Sequence, residues 1–526
     1  QGRFKRIVDL KAIMGGSRQH PISTRNEIKI RLTSLDMNTS ILPELDAVIV
    51  GSGFSGLCIA IKMQQAGMSY VVLEQAAGIG GTWRDNTYPG AACDVPSNLY
   101  CFSFAPNPDW SRTYPQQAEI QTYMNACANK FGIRQNIQFN KNVTCAHFDA
   151  ARKIWHIEVN EGAEVFEAKT LVMGVGGLSQ PKIPDIKGIE SFSGELFHTA
   201  RWRHDIRLEG KRIGIVGTGA SAIQIVPEIA DKVKQLNIFQ RTPPWLIFKP
   251  DFAIQHWRRW LRAKLPILQK MNRVYTYTWH ESWAIAFTRY PSILKIVQLL
   301  AKVFMRLNIH DKALRKKLKP NYVIGCKRVL LSNNYFSTLK KPNVQLVTDA
   351  IDCITPTGIR TRDGHEHPLD IIIASTGFLA AEAGSPFPVY GLEHKELNEQ
   401  WQRGPSAYLG TTVSGFPNFF IMTGPNTALG HNSMIYMIES QANYVMSALK
   451  LITQAPAIAF DIPEQTQARY NDDLQKQLAK TVWNTGGCSS WYLASNGLNT
   501  TLWPDFTFVY RHKTRRFDVE HYQRLV

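Results

Sequence analysis

The chain has 526 residues, enough for about three or four domains of ordinary size. Hydrophobic residues make up 44% and charged residues 19%, which excludes a disordered or low-complexity chain. The net charge of +18 is concentrated in two segments, because residues 1–36 carry a surplus of five positive charges and residues 251–320 a surplus of twelve. A nearly neutral body with two basic segments is not typical of proteins that coat nucleic acid, so we expect no nucleic-acid partner.

The basic extension at residues 1–40 precedes the first periodic pattern, and we predict that it is disordered or not native. It lacks the compact apolar stretch of a secretory signal peptide, and its acidic residues Asp9 and Glu27 argue against a transit peptide. Met37 stands just before the first periodic segment. We therefore expect the fold to begin after residue 40.

A first dinucleotide-binding pattern begins with the apolar run Leu45–Val50. It continues through a turn with Gly51, Gly53 and Gly56 into a helical run and a second strand that ends at Glu74. The first glycine allows the tight turn, the second lets a pyrophosphate approach the helix N-terminus, and the third allows close helix–strand packing. An acid at the end of the second strand is typical of a site whose carboxylate binds ribose hydroxyls, so we predict an FAD or NAD site. The alternative is an ordinary glycine-rich turn.

The same pattern recurs from Arg212–Val216 through Gly217 and Gly219 to a strand at Gln235–Phe239. Arg241 follows that strand in place of an acid. A guanidinium binds a ribose 2′-phosphate that an acid would repel, so this unit is predicted to bind NADP. The alternative is that Arg241 is a solvated surface arginine.

Two further apolar strands, within 170–177 and 370–377, connect the nucleotide units. We predict an α/β fold with two Rossmann-type dinucleotide-binding domains, one inserted in the other, and a helical insertion. The predicted boundaries are 41–178 and 379–526 for the FAD-binding domain, 179–250 and 321–378 for the NADP-binding domain, and 251–320 for the insertion.

The insertion is basic, aromatic and helical in character. Within Ser292–Ile309 the polar positions 295, 298, 302 and 306 share one helical face, and the rest is apolar. This pattern fits a helix packed on the core with a solvated basic edge, or a helix lying on an anionic membrane surface. The segment contains three basic residues, so it does not qualify as a membrane span.

The eight cysteines are scattered, and none forms the C-x-x-C spacing of zinc or thioredoxin-like sites. We therefore expect no metal site and free thiols in a reducing cytoplasm, with peripheral membrane contact as the alternative. The cysteines are Cys58, Cys93, Cys101, Cys127, Cys145, Cys326, Cys353 and Cys488.

Two dinucleotide sites on one chain indicate hydride transfer from a nicotinamide to a flavin and then to a further acceptor. Disulfide reductases pass the electrons to a pair of nearby cysteines, but Cys93 and Cys101 are eight residues apart. The remaining common acceptor is molecular oxygen.

Several motifs then resemble those of Baeyer–Villiger monooxygenases. Residues 192–202 are similar to the F-x-G-x-x-x-H-x-x-x-W fingerprint of that family, and residues 80–83 and 88–94 to its flavin-proximal segment. Residues 325–328 look like its catalytic arginine motif, and residues 490–492 like its C-terminal nucleotide-contacting segment. The resemblance implies FAD and NADPH as cofactors, O₂ and a ketone (and also a sulfide) as substrates, and an ester or lactone formed through a flavin peroxide.

The resemblance also assigns roles to residues. It makes Arg328 the cation that stabilises the anionic reaction intermediates, with Asp94 orienting it, and it favours Lys327 together with Arg241 as phosphate ligands. His198 is expected to be a structural hinge rather than a proton-transfer group, and Trp491 either closes over the nicotinamide or is an ordinary tryptophan. The remaining predicted cofactor-binding residues are Thr82, Trp83, Asp94, Tyr100, Thr218 and Ser221.

Two alternatives remain at this point. A related family oxygenates soft nitrogen or sulfur, but its fingerprint ends in Tyr or Phe where this chain has Trp202, and it lacks the Lys327–Arg328 pair. The other alternative is a membrane-surface flavoprotein whose basic insertion binds lipid.

Overall fold

A computed structural model describes residues 44–379, 384–454 and 457–525 of the protein. The basic extension predicted at residues 1–40 lies outside the described residues. The strands are β1 Ala47–Val50, β2 Tyr70–Glu74, β3 Ile137–Phe139, β4 Val143–Asp149, β5 Ile154–Val159, β6 Glu164–Ala168, β7 Leu171–Met173, β8 Glu195–His198, β9 Arg212–Val216, β10 Gln235–Phe239, β11 Leu246–Ile247, β12 Leu330–Leu331, β13 Val344–Val347, β14 Ile351–Thr355, β15 Gly358–Thr361, β16 Glu366–Pro368, β17 Ile371–Ala374, β18 Val389–Tyr390, β19 Phe419–Ile421, β20 Ala459–Asp461 and β21 Gln523–Leu525.

The α-helices of the described residues are α1 Phe54–Gln65, α2 Thr82–Asp85, α3 Gln117–Lys130, α4 Ala220–Ile229, α5 His256–Lys264, α6 Pro266–Ala284, α7 Leu294–Asn308, α8 Lys312–Leu318, α9 Tyr335–Thr338, α10 Leu397–Gln400, α11 Met434–Gln454, α12 Glu464–Leu478, α13 Val482–Thr485 and α14 Thr507–Lys513.

The first parallel sheet has the strand order β19-β7-β1-β2-β3. Every residue of β1, β2, β7 and β19 is buried, as expected for continuous apolar strands covered on both faces. Helix α1 follows β1 and shares one hydrophobic core with α11 through residues such as Leu57 and Ile438. The strand–turn–helix–strand unit predicted to end at Glu74 is therefore present.

The second parallel sheet has the order β13-β10-β9-β17-β8, and β9 and β10 have the bounds predicted from the sequence. Strand β7 precedes this sheet in the chain and β19 follows it, although both belong to the first sheet. The second unit is thus inserted in the first, which confirms the predicted α/β fold class with two Rossmann-type units. The domain boundaries given above stay a prediction.

Residues 251–320 form the four helices α5 to α8, with a π-helical turn at Ile285–Arg289, and contain no strand. Helix α6 packs against segments of the first unit, and α7 packs against β11 and α9 of the second. Across the parts of the chain that the structure describes, no helix combines the length and apolar character required to span a membrane.

The expectation of free thiols is wrong for two of the eight cysteines. Cys326 and Cys488 form a disulfide across 162 residues of chain, while the other six cysteines form no disulfide. The spacing rule compares close neighbours in sequence, so it cannot detect two loops that the fold brings together. Here the backbone N–H of Val323 donates to the carbonyl of Gly486 at 3.0 Å and joins the same two loops.

Candidate active site

A cavity of about 3290 Å³ lies at the carboxyl ends of the strands in both parallel sheets. In open α/β sheets this edge is where ligands bind. A pocket for one small-molecule ligand typically measures about 300–1,000 Å³, so this cavity has room for more than one ligand. Residues from both glycine-rich turns line it, so the fold opens both predicted nucleotide sites into one space.

The glycines of the first turn serve different geometric purposes. Gly51 has a φ of +96°, and a Cβ at Gly56 would lie only 1.9 Å from the carbonyl oxygen of Gly51, so helix and strand approach too closely for any side chain there. A Cβ at Gly53, by contrast, would meet no heavy atom within 4 Å. Gly53 is also the N-cap of α1 and makes no side-chain cap, which leaves the first N–H groups of the helix directed at the cavity.

Glu74 lies at the end of β2, lines the cavity and is 3% exposed. Its Oε2 accepts hydrogen bonds from the backbone N–H and hydroxyl of Ser52, at 2.9 and 2.7 Å. Its Oε1 accepts from the backbone N–H of Ala76 at 3.0 Å and from Arg84 Nη1 at 2.8 Å. A ribose hydroxyl would have to share an already bonded carboxylate, so the predicted ribose contact stays a prediction.

Three predicted flavin-side residues surround the first turn. Thr82 and Trp83 open α2, and the indole Nε1 of Trp83 donates to the hydroxyl of Tyr100 at 2.9 Å. The two rings meet edge to face at 5.6 Å. This pair fixes an aromatic wall of the cavity next to Gly53, whose Cα lies 3.3 Å from the position of a Cβ at Gly81.

The second turn repeats the geometry of the first. Gly217 has a φ of +110°, and a Cβ there would lie 2.4 Å from the carbonyl oxygen of Ser375. A Cβ at Gly219 would meet nothing within 4 Å, and Gly219 is the uncapped N-cap of α4. The Thr218 hydroxyl donates to a backbone carbonyl at 3.2 Å, and both Thr218 and Ser221 line the cavity.

Two cations stand near each other beyond β10. Arg241 and Lys327 both line the cavity, and among the described residues neither makes an ion pair with a carboxylate. Burial and the nearby charge of Arg241 lower the pKa of Lys327. Two like charges held together favour an anion between them, as the sequence analysis predicted for a phosphate.

The guanidinium of Arg328 forms a two-pronged ion pair with Asp94 at the cavity wall. Nε lies 2.5 Å from Oδ2 and Nη2 lies 2.7 Å from Oδ1. Burial disfavours the charged carboxylate, but Arg328 outweighs it and lowers the pKa of Asp94. The carboxylate in turn raises the pKa of Arg328. Nη1 has a longer contact, 3.4 Å, to the carbonyl oxygen of Leu429, so the pair keeps a fixed positive group facing the cavity.

The contacts that hold this ion pair in place were not predicted from the sequence. Gln224 on α4 donates through Nε2 to the carbonyl of Ala92 at 2.9 Å and accepts from the hydroxyl of Tyr88 at 2.9 Å. It thereby ties the segment that carries Asp94 to the second unit. The glutamine has no local signal in sequence, because its partners are more than 130 residues away.

The loop of Trp491 lies beside the loop of Arg328. Trp491 is 41% exposed, lines the cavity and has its ring 4.5 Å from that of Tyr492. The disulfide from Cys488 to Cys326 attaches this loop at the residue that directly precedes Lys327 and Arg328. The structure therefore brings the predicted nicotinamide-contacting segment and the predicted catalytic arginine together.

His198 is fully buried at the end of β8 and does not line the cavity. Its Nδ1 accepts from the backbone N–H of Ala200 at 3.1 Å, and its ring meets Phe378 edge to face. Burial lowers its pKa to about 4, so the imidazole is neutral at neutral pH. These contacts fit a structural junction between β8 and β17 better than a proton-transfer group.

Comparisons with known proteins agree with this geometry. Residues 46–255 match the flavin-binding monooxygenase-like family. A Baeyer-Villiger monooxygenase of Pseudomonas aeruginosa is 43% identical over 93% of this chain and 94% of its own length. One from Streptomyces coelicolor is 44% identical over 91% of this chain and 92% of its own. The crystal structure of OTEMO in complex with FAD and NADP superposes with a TM-score of 0.80 and 28% identity over 90% of this chain and 97% of that one.

The two glycines of the first turn provide a matched stability test. Gly56→Ala should lower the apparent melting temperature, because its Cβ would overlap the carbonyl of Gly51 and overpacking costs about 1–3 kcal/mol. Gly53→Ala, at a position with open space, should leave it unchanged. Calorimetry after dialysis of small molecules measures both, and an unchanged melting temperature in Gly56→Ala would show that the close approach is not required.

Proposed function

The chain belongs to the family of Baeyer–Villiger monooxygenases, and on this premise we propose which of its residues hold the cofactors and which carry the chemistry. It is an FAD- and NADPH-dependent oxidoreductase that inserts one oxygen atom of O₂ beside a ketone carbonyl to give an ester or lactone. When bound, NADPH supplies the hydride and FAD transfers the electrons to O₂. Oxygenation of nitrogen or sulfur has no comparable support, because both relatives described above carry the Baeyer-Villiger name.

The first turn fits the pyrophosphate of FAD. The uncapped N-terminus of α1 offers N–H groups to an anion, and the space beside Gly53 lets that anion approach the backbone. We assign Gly51 and Gly56 to the tight turn that shapes this site, and Glu74 to its polar edge. The wall built by Thr82, Trp83 and Tyr100, together with Asp94, would line the flavin side of the cavity.

The second turn fits the pyrophosphate of NADP for the same reason. Arg241 and Lys327 would let this site distinguish NADP from NAD. The N-terminus of α4 and the space beside Gly219 would receive the pyrophosphate. Arg241 and Lys327 would hold the ribose 2′-phosphate, which supplies the negative charge that both cations lack among the described residues. Trp491, on its half-exposed loop, would cover the nicotinamide end.

The observation that carries the proposed chemistry is the ion pair of Arg328 with Asp94 at the cavity wall. When a ketone is oxygenated, the negative charge of the attacking oxygen group moves onto the carbonyl oxygen of the ketone as the new bond forms. A fixed cation in a poorly hydrated site stabilises that charge, and its loss typically costs about 10²–10³-fold in rate. Arginine cannot be neutralised by burial, and the two-pronged carboxylate contact fixes the plane of the guanidinium.

Removal of Arg241 should weaken the preference for NADPH. In Arg241→Ala the ratio of kcat/KM for NADPH to that for NADH should fall by about ten- to a hundredfold, because a charge-assisted contact is worth about 1.5–3 kcal/mol. The KM for NADPH should account for most of the loss. Arg207→Ala, at an exposed arginine away from the cavity, is the matched control. An unchanged cofactor ratio in Arg241→Ala would refute the assignment.

Removal of Arg328 should separate flavin reduction from oxygen transfer. Arg328→Ala should still allow NADPH to reduce the flavin, because Arg241 and the second turn position the hydride donor. Ester formation should fall by about 10²–10³-fold, and hydrogen peroxide should account for the NADPH consumed. The measurement is the amount of ester formed per NADPH consumed, with the ester detected by mass for linear, cyclic and aryl ketones.

Two further variants test whether ester formation needs the guanidinium itself and its orientation by Asp94. Arg328→Lys should rescue little, since an ammonium cannot reproduce the planar contact with Asp94, and Asp94→Ala should show a milder loss of the same kind. If Arg328→Ala keeps the parental ester yield, Arg328 is not the catalytic cation.

A further inference from the structure

Helix α6 packs on the body of the protein through its polar side. Gln269 Nε2 donates to the carbonyl of Asn107 at 2.7 Å, and Arg273 Nη1 donates to the carbonyl of Asn98 at 2.9 Å. Glu281, two turns later, is 5% exposed. A surface helix of a globular protein usually buries its apolar side, whereas on α6 the only fully buried apolar residue is Ala284, and Tyr277 and Trp283 are partly buried.

The outward side of α6 is consequently apolar. Five apolar residues of α6, spaced by one, three or four positions, share one stripe along the helix. Each side chain is more than half exposed: Ile267 59%, Met271 62%, Val274 57%, Tyr275 71% and Trp279 57%. This stripe has no partner among the described residues that would explain an apolar surface of this size.

Helix α7 shows a related arrangement. Its inward residues Leu294, Ala301 and Met305 are buried in the hydrophobic clusters of the protein. Its opposite side is also apolar and lies open to solvent. The exposed residues of that side are Ile296, Leu299, Leu300, Val303 and Leu307. A helix that is apolar on both sides is normally covered on both sides.

The exposed large hydrophobic residues of the described protein are concentrated in and around the insertion. Of 24 large hydrophobic residues that are exposed, 18 lie between Phe248 and Leu307. We call the exposed apolar residues of α5, α6 and α7 the insertion face. Such a concentration differs from the scattered exposure that is normal on protein surfaces and marks an interaction site.

The charge around the insertion face selects its partner. Residues 251–320 contain fifteen basic residues and three acidic ones. The acids are already committed, because Asp251 pairs with Arg112, Glu281 is buried and Asp311 caps α8. A second copy of the chain would oppose twelve surplus charges with twelve more, and the segment at residues 1–36 is itself basic. Charge complementarity therefore favours an anionic partner.

We propose that the insertion face docks the protein on the surface of a bilayer that contains anionic phospholipid. The apolar side chains of α6 and α7 enter the boundary between headgroups and acyl chains, and the surrounding lysines and arginines contact lipid phosphates. The sequence pattern of Ser292–Ile309 and the charge of residues 251–320 already offered lipid contact by the basic insertion as an alternative; the exposed apolar stripe of α6 is the structural observation that adds to it. This proposal does not depend on the assigned chemistry.

Flotation of the full-length holoenzyme with vesicles tests the proposal. The protein should float with phosphatidylcholine vesicles that contain phosphatidylserine, and much less with phosphatidylcholine alone, and added salt should release it. The variant Met271→Ser/Tyr275→Ser/Trp279→Ser should lower vesicle binding by about tenfold or more, since it removes three exposed apolar side chains. Its rate with a soluble ketone, in the absence of vesicles, should equal that of the parent.

Matched controls come from exposed residues elsewhere. Leu451→Ser/Phe508→Ser should keep full vesicle binding. If the serine variant of α6 does not fold, charge reversal on α7 tests the proposal instead. Lys295→Glu/Arg306→Glu should then bind vesicles more weakly than the control Lys340→Glu/Lys450→Glu, whose lysines are exposed elsewhere. Absence of vesicle binding, or equal binding to both vesicle types, overturns the proposal. So does a dimer in sedimentation that the α6 variant dissociates, or binding that appears only after residues 1–36 are removed.

Discussion

The ion pair between Arg328 and Asp94 is the contact on which the proposed chemistry depends. Its two halves come from chain segments 234 residues apart, and each segment is anchored separately. Gln224 holds the Asp94 segment to the second Rossmann-type unit, and the disulfide of Cys326 holds the Arg328 loop to the loop of Trp491. The position of the cation therefore follows from how the two nucleotide units and the C-terminal loop are joined.

The two glycine turns explain why that cation lies where the reaction would occur. Both turns place an uncapped helix N-terminus at the same cavity, and both leave open space beside the second glycine. Two dinucleotides held in this way would direct their reactive ends toward the wall that carries Arg328. Arg241 and Lys327 stand at the second turn alone, and in the proposed assignment they would give the two otherwise similar sites different nucleotide preferences.

The sequence predicted most of the fold because the central strands are continuous buried apolar runs, and β9 and β10 have the predicted bounds. The pairing of Asp94 with Arg328 was accessible only through the family resemblance, since nothing local links two residues so far apart. The disulfide and Gln224 were missed for the same reason. Hydrophobic periodicity locates an apolar stripe on α6 but does not tell whether the stripe faces the protein or the solvent. The polar side of α6 faces the protein because Gln269 and Arg273 donate hydrogen bonds to backbone carbonyls of distant segments, which the sequence does not reveal.

A double-variant cycle between Asp94→Asn and Arg328→Ala tests the central claim most directly. If the carboxylate acts by orienting the guanidinium, it has nothing left to orient once Arg328 is removed. The ester formed per NADPH by the double variant should then equal that of Arg328→Ala alone, while Asp94→Asn by itself lowers it. Losses that multiply in the double variant would contradict the account, because they would show that the two residues act independently.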